Sequence, residues 1–140
     1  MARPRILSAT VGTAGTVAIE YGVVLPVLLL FTLGIMDAGR LLWTDITLSR
    51  AAEAAARCGA VNTATCPAAS IPAYAAGQAW GVSGVTAANF TTSTPACGVQ
   101  VVGSYVYTFF VPWFPQFSSA APFGGATVTL TATACYPPHP

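Results

Sequence analysis

The sequence predicts an α+β protein: one long N-terminal helix, part transmembrane and part projecting, followed by a small antiparallel β domain stapled by disulfides. Three observations predict it. The run from Thr16 to Met36 is apolar apart from a single charge, Glu20. All nine charged residues lie between Arg3 and Arg57, leaving Cys58 to Pro140 without any Asp, Glu, Lys or Arg. That uncharged part holds all four cysteines, and near its end Thr alternates with apolar residues.

The apolar run comes first. Its 21 residues, at about 1.5 Å each, cross a bilayer core. Arg3 and Arg5 precede it with no acid among them, which sets the N-terminus on the cytoplasmic side and the rest outside. A secretory signal peptide has a shorter apolar region, about 7 to 15 residues, ending at a small-x-small site. Here the apolar run continues directly into "MDAGRLLWTDITLSRAAEAAARCG".

That continuation reads as more helix. Ala51–Ala56 has high helix propensity, and Arg50, Glu53 and Arg57 share one face on which Glu53 can pair in both directions. Gly59 is the expected stop, and Pro26, lacking an N–H, is expected to kink the helix. Asp37 and Arg40, at i and i+3, can pair where the helix leaves the membrane. Gly34, Ala38 and Gly39 make a small-residue surface that a second helix can approach. Glu20 poses the main physical problem, because an ionised carboxylate in hydrocarbon loses several kcal/mol of hydration.

Beyond Cys58, Ser70 as N-cap and Pro72 in the first turn predict a short helix within residues 68–80. A loop with one short strand follows. Residues 97–110, "CGVQVVGSYVYTFF", are β-branched and aromatic, hence strand, with Gly103 as a candidate bulge. Residues 126–136 alternate Thr127, Thr129, Thr131 and Thr133 with Val128, Leu130, Ala132 and Ala134, as in a half-buried antiparallel strand. If these two strands pair, Cys97 lies beside Cys135, leaving Cys58 and Cys66 to close a short loop. Four cysteines allow three connectivities, and the other two stay open on sequence alone. Trp113, Phe114, Phe117 and Phe123 form an aromatic loop between the strands, either an interaction surface or rings folded back on the sheet.

Around Glu20 the residues carry a resemblance. Gly15-Thr16-Val17-Ala18-Ile19-Glu20-Tyr21 resembles the G-x-x-x-x-E-Y processing signal of type IVb prepilins. The stretch that follows, with Pro26, Gly34, Asp37, Gly39 and Arg40, looks like the N-terminal signature of TadE-like proteins, minor pilins or pseudopilins of the Tad (Flp) tight-adherence pilus. The resemblance implies a type IV pilin-like architecture: a prepilin leader (1–15), an assembly helix (16–57) and an extracytoplasmic domain (58–140). It implies cleavage between Gly15 and Thr16 by a prepilin peptidase. Glu20 would then face the new N-terminal amine of a neighbouring subunit, two charges neutralising each other in an apolar core.

The composition weighs against an enzyme. No acid follows Glu53, the one histidine, His139, sits in a Pro-rich tail, and neither a phosphate-binding glycine loop nor a CxxC pair occurs. No cofactor, metal, small-molecule substrate or nucleic-acid partner is indicated, the net charge being only +1. The expected partners are prepilin peptidase, other pilin subunits, the Tad assembly platform, and membrane lipid along residues 16–36. The expected location is the bacterial inner membrane, with the C-terminal domain outside and possible incorporation in a pilus. Two alternatives remain: an uncleaved single-span protein displaying a binding domain, and a secreted protein that loses its first 30-odd residues.

Overall fold

The computed structural model describes residues 14–110 and 127–137. Helix α1 (Ala14–Val61) is followed by α2 (Ile71–Gln78), a 3-10 turn (Ala87–Asn89) and three strands, β1 (Phe90–Ser93), β2 (Val99–Thr108) and β3 (Thr127–Tyr136). The strands form one antiparallel sheet in the order β1-β2-β3. Two regions thus hang on one helix. The first half of α1 stands alone, and the second half is the wall on which the sheet is built.

The alternation read in β3 decides which face is buried. Val128, Leu130, Ala132 and Ala134 point inward while the threonines between them are exposed. Across the ladder they meet Tyr107, Tyr105, Gly103 and Val101, the inward set of β2. Facing them on α1 are Leu48, Ala51, Ala52, Ala55 and Ala56, all at 1% exposure or less. The alanines let the helix axis approach the sheet closely, and Leu48, Phe90 and Val101 fill the space they leave. Ile71 and Ala75 of α2 close the same core from the side.

Direction follows from the contacts. Tyr107, near the end of β2, reaches Asp37, whereas Val99 at its start lies against Gly59. β2 therefore runs back towards the apolar half of α1, and β3 runs outward alongside the helix. Its end, Tyr136, shares a groove with Arg50, Glu53 and Arg57.

The structure corrects three local expectations. Gly59 does not end α1, which continues to Val61. A Cβ there would stand 2.6 Å from the Ile71 side chain, so this glycine serves the close approach of α2 rather than a helix stop. Gly103 makes no bulge, since every β2 residue from Val99 to Thr108 pairs one-to-one with β3. A Cβ at Gly103 would sit 2.9 Å from the Phe90 ring, which lies across it. Ser70 holds the N-cap position of α2 but makes no side-chain cap, its hydroxyl instead donating to the Pro67 carbonyl at 2.9 Å. The predicted short strand is β1, and Pro26 lies inside a helix that runs through it without interruption.

The two cysteine pairings expected if β2 and β3 pair are the ones formed. Cys58 bridges Cys66, and Cys97 bridges Cys135. Gly98, between Cys97 and β2, adopts φ +118°, a left-handed turn that only glycine makes without strain, and its N–H donates to the Pro95 carbonyl. Asn89 ties the 3-10 turn to β2: its amide donates to the Ser104 carbonyl, and its oxygen accepts from the Thr86 N–H. The aromatic-loop expectation for Trp113, Phe114, Phe117 and Phe123 lies outside the described residues.

Candidate membrane and assembly site

α1 leaves its first half uncovered. Within it is an apolar window of mean hydropathy 2.1, none of it buried, making α1 a helix long and apolar enough to cross a membrane. Val23, Val24, Leu28, Phe31 and Ile35 all project freely. Backbone groups in such a segment must be satisfied internally, and the helix does this. The Thr32 hydroxyl also folds back onto the Leu28 carbonyl at 2.7 Å, satisfying itself within the helix. Glu20 is exposed among these apolar neighbours, with Tyr21 beside it and Gly15 in the first turn.

Asp37 is the opposite case. It lies 17 positions further along the same helix and is only 2% exposed. Its Oδ1 accepts from the Tyr107 hydroxyl at 3.0 Å and its Oδ2 from the Phe110 N–H at 2.7 Å. The Tyr107 hydroxyl is also 3.2 Å from the Asp37 carbonyl. Burial first, and then the bond to Asp37, pushes the Tyr107 phenol above its ordinary value of 10.0. Arg40, one turn beyond Asp37, lays its guanidinium over the Phe110 ring at 5.6 Å. This clasp fastens the end of β2 to the helix where the uncovered half stops.

The geometry is that of an exposed apolar helix with a carboxylate near its start, held at its far end in a small disulfide-bonded domain. Residues 15–57 match the TadE-like protein family. The match is consistent with a TadE-like protein of the Tad pilus system, a membrane-associated family whose role is structural rather than catalytic. It covers less than half of the chain and stops just before Cys58, so α2 and the sheet lie beyond it. No curated protein and no solved structure matches the chain.

The TadE-like segment spans both halves of α1, containing Glu20 and Pro26 in the uncovered part and Asp37 and Arg40 at its base. A shallow groove of about 460 Å³ runs along the uncovered half of α1, lined by Val23, Val27, Phe31 and Ile35 among others. Gly34 and Gly39 have open space where a Cβ would stand, so nothing among the described residues requires them to be small.

The sequence singles out Asp37 and Arg40 but not the residues they meet, Tyr107 and Phe110, nor the Trp43–Trp80 pair. One signal was present: the inward positions of β2 repeat every second residue from Val99, which puts Tyr107 on the helix side. That it meets Asp37, 70 residues away, follows only from the direction in which β2 runs.

Proposed function

We propose that the chain is a minor structural subunit of a Tad-type pilus, inserted through the first half of α1 and assembled by it. The observation that carries this reading is Glu20, an exposed carboxylate in an exposed apolar helix, within the segment that matches the TadE-like family. Cleavage between Gly15 and Thr16 by a prepilin peptidase makes Glu20 the fifth residue of the mature chain. Its charge then pairs with the N-terminal amine of a neighbouring subunit, which offsets the desolvation that makes it costly in a lone helix. The groove lined by Val23, Val27, Phe31 and Ile35 and the open faces of Gly34 and Gly39 are where neighbouring helices approach. The domain beyond Cys58 is displayed outside the cytoplasm, where both disulfides form. The subunit supports pilus biogenesis, adherence or surface attachment rather than catalysis.

The test is the intact mass and N-terminal sequence of the protein taken from its native membrane. A chain beginning at Thr16 supports the proposal, and Glu20→Ala should then abolish assembly while the domain stays folded. A chain beginning at Met1 or Ala2 favours the single-span display protein instead. A start well beyond Tyr21 removes the pilin reading.

A further inference from the structure

The apolar surface of α1 does not end where the apolar run ends. Ile35 and Met36 are 71% and 68% exposed, and Leu42, Trp43 and Ile46 continue the exposed apolar surface past them. The acid that should interrupt it, Asp37, is withdrawn beneath Tyr107 and Phe110. Two aromatic side chains of the domain join this level of the helix. Trp80 meets Trp43 edge-on at 5.9 Å, and Phe110 lies beneath Arg40; they are 71% and 80% exposed. Neither ring belongs to the buried core among the described residues.

Indole and phenyl rings so placed, in line with a membrane-spanning helix, favour the boundary between acyl chains and headgroups. From Met36 to Trp43 the helix rises about 10 Å, so Met36 meets acyl chains while Trp43 and Trp80 stand among headgroups. Arg40 lies between them, its head exposed at a cleft of about 440 Å³ lined by Met36, Trp43, Tyr105 and the Gly81–Ser83 chain. Arg50, the next cation along α1, stands about 15 Å further out. Asp45 is on a different side of the helix, five residues on. We infer that Trp43, Trp80 and Phe110 form a collar that rests the domain on the bilayer surface, with Arg40 binding the phosphate of an anionic lipid in the adjoining cleft. This rests on the membrane-spanning reading of α1 given above.

The experiment uses the full chain reconstituted in phosphatidylcholine vesicles. Trp80 is kept as sole fluorophore by W43F and W113F, and the lipids are brominated at shallow or deep positions. A separate L29W variant lacking the three native tryptophans reports the span. The collar predicts that shallow bromines quench Trp80 severalfold more than deep ones, while deep bromines quench L29W. A quenched L29W with an unquenched, water-like Trp80 overturns the collar and leaves the span standing. An unquenched L29W overturns the span and the collar with it. Brominated phosphatidylglycerol should show roughly fivefold higher apparent affinity than brominated phosphatidylcholine at Trp80, the effect of one arginine at an anionic surface. Arg40→Gln should abolish that preference, and millimolar inorganic phosphate should leave it intact. Equal quenching by the two lipids, or a preference that survives Arg40→Gln, overturns the lipid site. Loss of the preference to inorganic phosphate assigns the cleft to a free anion instead.

Discussion

The two halves of α1 have the same backbone and opposite supports. Around Leu29 every side chain is exposed, and the helix is held by its own hydrogen bonds and an apolar sequence suited to lipid. Around Leu48 the face is buried, and the helix is held by a sheet seated on alanines. Their acids differ in the same way. Glu20 projects from the chain, whereas Asp37 is enclosed by two donors from β2 and the residues just after it. A helix can therefore be continuous in structure while its stability comes from two unrelated sources, the surrounding solvent in one half and tertiary packing in the other.

The contrast can be broken most sharply at the disulfides, because both act on the packed half alone. Cys135→Ser opens a closure of sequence separation 38 and should cost about 4 kcal/mol, against about 2.5 kcal/mol for Cys66→Ser, whose bridge spans 8. Urea unfolding of the full chain in detergent micelles measures both, with helicity of the uncovered half unchanged. Loss of helicity there would show that the two halves are one cooperative unit.

Leucine truncation sharpens the contrast further. Leu48→Ala should destabilise the domain by about 3 kcal/mol, since it removes one of the two largest fully buried side chains. Leu29→Ala, at a side chain 49% exposed, should move the same transition by less than about 0.5 kcal/mol. Similar effects at the two sites would sink the comparison.

Apart from the Leu29→Ala control, the clasp gives the smallest of these effects. Asp37→Ala leaves the Phe110 N–H without its acceptor and the Tyr107 hydroxyl with only the residue-37 carbonyl, at a cost of about 1–3 kcal/mol in the same titration. It has a pH signature as well. The folded phenol of Tyr107 has a raised pKa, so its contribution is fully present below pH 10.0 and is lost as pH climbs through the higher folded value. Ultraviolet titration should show Tyr107 ionising late in the native protein and closer to pH 10.0 in Asp37→Ala. An unchanged midpoint would mean that burial alone raises it.

What was legible in the sequence follows from how local each cause is. The long helix, the Thr/apolar alternation of β3 and the pairing of Cys97 with Cys135 rest on periods and strand order, which neighbouring residues carry. Gly59 and Gly103 were misread because a glycine's local meaning, a stop or a bulge, is indistinguishable from its tertiary meaning, room for Ile71 or Phe90. The partners of Asp37 were out of reach for a related reason. Nothing near Tyr107 or Phe110 distinguishes them until β2 is known to return towards the uncovered half of α1. Trp43 and Trp80 gave no periodic signal, one being an outward helix position and the other a turn residue after α2.

The outward course of β3 also fixes how a pulling force would pass through the molecule. Tension between the uncovered half of α1 and the C-terminal end enters the domain at Tyr136, the outer end of β3. It reaches Cys135 almost at once and crosses to Cys97, so the hairpin between those two cysteines lies outside the stretched path. The Cys58–Cys66 bridge likewise takes the loop after α1 out of it. Only residues 67–96, between the two bridges, remain as length that tension can draw out, and the domain behaves as a short tether with a fixed maximum extension.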